Sequence, residues 1–246
     1  MRVAGVDACR NGWVAVALDA APGPTMALDT AAGPVIAIHA AAGPPVAIRT
    51  DASLAALLVP WLDRGGAMIV GIDMPLGLLE KGWREADRAA RGLLGPRRSS
   101  VFAIPPRAVW AEASYPRANE RCRELTGQGF SVQAWGLRAR LLEANQYRET
   151  CGHPLYEVHP ELAFAAMAGQ PLAYSKHTSA GRDLRRQLLS RAGIALPGVT
   201  PASLTSDVLD AAAVAWSARR VATGRAVTVP AEPQRDRADR EIAIRY

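Results

Sequence analysis

The sequence predicts a single α/β domain on a mixed sheet, with an antiparallel meander on one side and parallel strands on the other. Three observations carry that expectation. Two apolar runs flank Arg10-Asn11-Gly12, and Asn-Gly between such runs signals a hairpin. The runs at residues 3–7 and 68–73 are apolar until each ends in an aspartate, as expected of central strands covered on both faces. Segments with helical spacing follow, and parallel strands need such crossovers.

The first strand is Val3-Ala4-Gly5-Val6-Asp7, and residues 13–18 form the second across the tight turn. A period-10 repeat with Gly-Pro punctuation occupies residues 18–50. It fits short strands that extend the meander, and it fits equally a surface ribbon produced by slippage in repetitive DNA; no catalytic role is assigned to it. Residues 52–64 carry a helical stripe (Leu54, Leu57, Leu58, Trp61, Leu62) that stops at Gly65-Gly66. The strand at 68–73 is broken by Met74-Pro75-Leu76-Gly77. Helical patterns cover 84–94, 115–125 and 131–150, a short strand falls at 154–158, and His159-Pro160-Glu161 opens another helix. A long helix spans 206–223 and closes at Gly224, leaving 230–246 as a C-terminal tail. No linker interrupts residues 1–246, so one domain is expected.

Composition is that of a globular protein, with 49% hydrophobic and 21% charged residues among 246. No apolar run reaches the ~20 residues of a membrane span, and no secretory pattern opens the chain; no membrane partner and a cytoplasmic location are expected. Cys9, Cys122 and Cys151 lack metal-ligand spacing, so they are expected to be reduced thiols. The formal charge is +6, and apart from Lys81 and Lys176 the 29 basic residues are arginines. Arginine contacts phosphate through two planar N–H groups, which suits a polyanion; GC-rich codon usage would produce the same enrichment.

The chemistry lies in acids at element ends. Asp7 and Asp73 close two strands, and Asp207 and Asp210 open the last long helix three residues apart, on one face. Carboxylates that a fold can gather form an oxygen donor set for a hard cation such as Mg²⁺ or Mn²⁺, which keeps waters and substrate phosphates in its shell. Each acid also has a plain structural role: a turn cap for Asp7 and Asp73, a helix N-terminal acid for Asp207. Asp210 sits among apolar neighbours, where an unpaired carboxylate is costly. Glu157, on the short strand before His159, is a further ligand or a general base. The basic loop Arg97-Arg98-Ser99-Ser100, with Arg107 beyond it, offers groups suited to phosphate oxygens, and Lys176 with Thr178 offers a second contact. No phosphate-binding P-loop, dinucleotide fingerprint or Ser-His-Asp spacing is present.

Gly5-Val6-Asp7 with Asn11-Gly12-Trp13, Gly71-Ile72-Asp73-Met74-Pro75, Arg97 to Phe102, Glu157 to Glu161 and Asp207-Val208-Leu209-Asp210-Ala211 together resemble the domain-of-unknown-function family described as predicted RNase H-like nucleases. The likeness spans nearly the whole chain. It implies an RNase H-like fold, in which an aspartate on the first strand, an acid at the end of the fourth and one or two on a C-terminal helix form the site; Asp7, Asp73 and Asp210 match in order, with Asp207 as a possible fourth. It implies metal-dependent hydrolysis of phosphodiester bonds in nucleic acid, with two ions about 4 Å apart. The alternatives are a non-catalytic nucleic-acid or protein-binding module and an ATP-dependent phosphotransferase on the same core.

Overall fold

Two strands joined by a tight two-residue turn begin the fold. The computed structural model describes residues 1–19, 36–38, 46–62, 68–196 and 204–246. β1 (Arg2–Cys9) and β2 (Gly12–Asp19) pair antiparallel from Arg2↔Asp19 to Cys9↔Gly12. Gly12 adopts a φ of 146°, and a Cβ there would lie 2.0 Å from the Asp51 carbonyl oxygen, so the turn requires glycine. β3 (Ile36–Ile38) and β4 (Val46–Asp51) extend this antiparallel side, β4 pairing with β2. The expected meander is therefore present in part; the rest of the repeat lies outside the described residues.

α1 (Leu54–Leu62) then crosses over to β5 (Met68–Ile72), which runs parallel to β1. α2 (Glu85–Leu94), α3 (Tyr115–Thr126), α4 (Val132–Gly136) and α5 (Arg138–Thr150) lead to β6 (Leu155–Glu157), parallel to β5. α6 (Pro160–Ala168), α7 (Ser179–Arg191) and α8 (Thr205–Ala222) follow, and the chain closes with β7 (Thr228–Arg235) and β8 (Glu241–Arg245). The strand order is β3-β4-β2-β1-β5-β6-β8-β7. This is the mixed α/β sheet flanked by helices that the sequence predicts. No helix among the described residues is long and apolar enough to cross a membrane.

Three expectations need correction, and one helix is additional. The helix expected over 131–150 is two: the Leu137 N–H bonds Ala134 O, three residues back, tightening the chain between α4 and α5. What was read as a basic loop contains two 3-10 turns, Gly95–Ser100 and Arg107–Ala111. α7 was not expected. The C-terminal tail is a hairpin, in which β8 pairs parallel with β6 and antiparallel with β7.

The period-2 alternation of the strands divides the core in two. On one face Ala4, Val6, Val70 and Ile72 pack with α1, α5 and the Trp110 turn. On the other Val3, Val14 and Val16 pack with α6, α7 and the alanine stripe of α8. Contact on this second face is very close: a Cβ on Gly5 would lie 2.0 Å from Ala215 N and 2.1 Å from Ala211 O. The backbone of α8 rests directly on β1.

Candidate functional site

The alternation that sends Val3 and Gly5 toward α8 sends Asp7 the same way. In β5, Gly71 faces Val214 of α8, so Asp73, two residues on, follows. β1 and β5 are in register with Val6 opposite Ile72, and the Asp73 N–H donates to Val6 O at 2.8 Å. Asp7 and Asp73 thus leave adjacent parallel strands side by side. Asp210, in the first turns of α8, faces them across the Gly5 contact. The three acids singled out in the sequence come together at the C-terminal edge of the parallel strands, where an α/β sheet opens a crevice.

Their burial sets the electrostatics. Asp7 is 7% exposed and Asp210 2%; Asp73 and Asp207 are half-buried. Burial, followed by repulsion from Asp73 and Asp210, pushes Asp7 well above the ordinary carboxylate range, against the pull of Lys176. Burial lifts Asp73 to about 6, opposed by His159 and reinforced by Asp210. Burial also raises Asp210, with Lys176 opposing. Lys176 Nζ donates to Asp210 Oδ2 at 2.5 Å. Burial disfavours that ammonium, but Asp210, and then Asp7 and Asp73, outweigh it and hold the lysine above its usual range. Among the described residues no three His, Cys, Asp or Glu side chains are gathered closely enough to hold a metal ion as they stand. The cation in contact with the cluster is Lys176.

Above the acids is a pocket of about 240 Å³, lined by Asp7, Asp73, Asp207, Glu157, His159 and Lys176, with Ser100 and Phe102 at its wall. Glu157 is in it but is not free: Arg84 Nη2 lies 2.6 Å from both its oxygens, and the Leu76 N–H donates to it at 2.7 Å. Both its oxygens are therefore committed to partners within the protein. Asp87 flanks the same guanidinium at 3.4 Å and is pushed up to about 7, by burial first and by Glu157, against Arg84. His159 is held by its Nε2, 3.2 Å from Ser100 O.

The basic residues divide. Arg97 donates to Leu172 O and Ala173 O, each at 2.8 Å, and fully buried Arg185 donates to Tyr174 O. Together they fix the segment that delivers Lys176 to Asp210. Arg97, expected on phosphate, is thus a staple for the lysine. Arg107 pairs with Glu80 at 3.4 Å. Arg98 and Ser99 are exposed, and the Ser100 hydroxyl donates to Arg97 O. Thr178 caps α7, accepting from the Gly181 N–H at 3.1 Å. Arg84 was not singled out in the sequence. Its one signal is position, an arginine directly before a helix where a small capping residue is favoured.

A pH effect follows from the raised aspartates. A folded-state value above that of the unfolded chain means the folded state binds the proton more tightly, so the ionised group costs stability at high pH, and the cost declines as pH falls below the folded value and is gone below the unfolded one. Without metal, wild type should gain stability relative to Asp73→Asn between about pH 7.5 and about pH 5. Urea melts at both pH values check this, and parallel losses or gains in the two proteins would overturn it.

The fold and the pocket define a mixed α/β domain with a carboxylate cluster at the C-terminal edge of its parallel strands. Residues 5–235 match the model of the family described as "Protein of unknown function (DUF429)", and the chain belongs to that family. Neither the curated proteins nor the solved structures yield a match.

Proposed function

We propose that the chain is a divalent-metal-dependent nuclease of RNase H-like architecture, hydrolysing phosphodiester bonds at the Asp7–Asp73–Asp210 cluster. The observation that carries this reading is that Asp7 of β1, Asp73 at the end of β5 and Asp207 of α8 line one pocket, with buried Asp210 near enough to repel Asp7. The donor chemistry suits a hard cation, since every group is a carboxylate; the acids would have to draw together to hold it, and among the described residues Lys176 is the cation paired with the cluster. A deficit of positive charge in a buried acidic site is what Mg²⁺ or Mn²⁺ would correct. Asp7, Asp73 and Asp210 would hold the ion, with Asp207 at the rim. Bound there, it would polarise a phosphoryl oxygen and acidify a water.

The chain's own groups have separate tasks. Lys176 holds the Asp210 carboxylate in place and brings a positive charge to the rim, where a phosphate would approach. The Ser100 carbonyl orients His159. Arg84 neutralises Glu157 and keeps its oxygens on the Leu76 amide, which fixes the wall of the pocket rather than supplying a base.

The test is cleavage of end-labelled single- and double-stranded DNA and RNA with Mg²⁺ or Mn²⁺, with and without chelator, by wild type and Asp210→Asn. Metal-dependent cleavage lost in the variant supports the reading; no cleavage of any substrate at any metal concentration overturns it. That outcome would favour a binding module, the second reading, which the Lys176–Asp210 pair supports because it balances one acid internally. Among the loop arginines, Arg98 is exposed and its side chain has no hydrogen-bond or ion-pair partner among the described residues, which leaves it able to meet a phosphate backbone. Arg98→Ala should lower the log–log salt slope of binding by roughly 0.7 to 0.9, and salt titrations with labelled oligonucleotides check this.

A further inference from the structure

A second cavity, of about 390 Å³, adjoins the acidic pocket, and Phe102 lines both. Their chemistry is opposite. The acidic pocket is rimmed by aspartates and Glu157, whereas the second contains Arg91 and Arg123 and no carboxylate. Arg123 is exposed and forms no ion pair among the described residues. Arg91 is aimed, since its Nη1 donates to Val101 O at 2.7 Å next to Phe102. Asn119 uses its Oδ1 on the Phe130 N–H at 3.0 Å, and its Nδ2 meets no protein acceptor among the described residues.

The wall is aromatic and stiff. Phe130 packs edge-on against Tyr115 and Trp110, with centroids 5.7 Å apart in each case, and Trp110 stacks on Trp135 at 6.1 Å. The Tyr115 hydroxyl donates to Phe130 O at 2.7 Å. Gly129 lets this wall close, because a Cβ there would lie 2.4 Å from Asn119 Oδ1. A rigid aromatic surface, two guanidiniums and an unused amide donor, in a space within the ~300–1,000 Å³ of small-ligand sites, suit a ligand that is flat, anionic and rich in acceptors.

We propose that this cavity is a nucleotide subsite for single-stranded nucleic acid. A base packs on Phe102, its phosphate meets Arg91 and Arg123, and Asn119 contacts the base edge. The subsite rests on the proposed nuclease reading and deepens it. The acidic pocket repels phosphate until its charge is compensated, so a basic subsite one step away along the strand anchors the substrate, and Phe102 fixes the direction from one pocket to the other. Single-stranded substrates are favoured because a base can reach an aromatic wall only when it is unpaired.

Binding is read by fluorescence anisotropy with labelled single-stranded DNA and RNA of one sequence and the matching duplex, in chelator, using wild type, Arg123→Ala and Phe102→Leu. Thermal melts show whether each variant is folded. Loss of stacking should weaken single-strand binding by Phe102→Leu roughly five- to hundredfold, and Arg123→Ala should reduce the salt slope by about 0.7. Single strands should bind tighter than duplex, and the DNA and RNA arms identify the strand. Equal affinity and slope in wild type and folded Arg123→Ala overturn the subsite, as does wild type that binds none of the oligonucleotides. Hydrolysis of bis(p-nitrophenyl) phosphate by wild type with Mn²⁺, a substrate without a base, reports on the acidic pocket alone. If the small ester is cleaved and oligonucleotide binding ignores both variants, the subsite fails and the hydrolase reading stands. If binding depends on Arg123 and Phe102 while metal-dependent cleavage of every substrate is absent, the subsite stands and the nuclease reading fails.

Discussion

Asp7→Asn is expected to remove metal-dependent cleavage while making the metal-free protein more stable. The two effects have one cause. Asp7 is buried beside Asp73 and Asp210, and both repel its charge. An amide of the same shape keeps the packing against α8, removes that repulsion and takes away an anionic ligand of the proposed metal site. Loss of an outer-shell partner of a metal ligand already costs about 10–100-fold, so loss of the ligand itself should cost more than about 100-fold in rate. Each kcal/mol of repulsion relieved is worth about 2–4 °C in a domain of this size. Calorimetry in chelator, alongside a cleavage assay, reads both. A melting temperature that falls by several degrees would mark Asp7 as a structural turn residue, and full activity would remove it from the site.

Arg84→Met, behind the wall of the pocket, should be a strongly damaging single substitution. Arg84 is 1% exposed and lies between Glu157, 5% exposed, and Asp87, 3% exposed. Removing it leaves two buried carboxylates without their cation. Breaking a buried pair from one side costs roughly 3–5 kcal/mol, or roughly 6 to 20 °C in melting temperature. The double variant Arg84→Met, Glu157→Met should recover much of this, because an apolar pair of similar volume strands one charge fewer. Thermal melts of the single and double variants test it; a single variant within a degree of wild type would show that the trio contributes nothing.

Much of the site was legible because its acids stand where local sequence is most readable. Asp7 ends an apolar run before Asn11-Gly12, Asp73 ends another before Met74-Pro75, and Asp210 opens an alanine-rich helix. Such boundaries follow from periodicity and turn chemistry. What was not legible depends on partners far along the chain. Arg84 meets Glu157 across 73 residues, and no local pattern announces the pairing. Arg97 looks like a phosphate contact until its acceptors prove to be the carbonyls of Leu172 and Ala173. The closing hairpin was hidden by Pro230 and Pro233, which weaken a strand pattern. The fold tolerates them because β7 is the edge strand and its register shifts between Val229 and Gln234. α7 was missed because its buried face includes Gly181 and Arg185 beside only two leucines, Leu188 and Leu189, a thin apolar stripe.

The bare contact between Gly5 and the backbone of α8 also has a consequence in time. A ribosome makes β1 first and α8 some two hundred residues later, and domains begin to organise during synthesis. Until Ala211 and Ala215 arrive, the strip of β1 around Gly5 has no cover, and Asp7 looks out into solvent beside a hairpin that is already able to form. The chain therefore carries a half-built acidic edge through most of its synthesis, and gains the third carboxylate together with the helix that seals the sheet. Completion of the acidic cluster and closure of the sheet arrive in the same step, so a nascent or C-terminally clipped chain lacks the Asp210 side of that cluster.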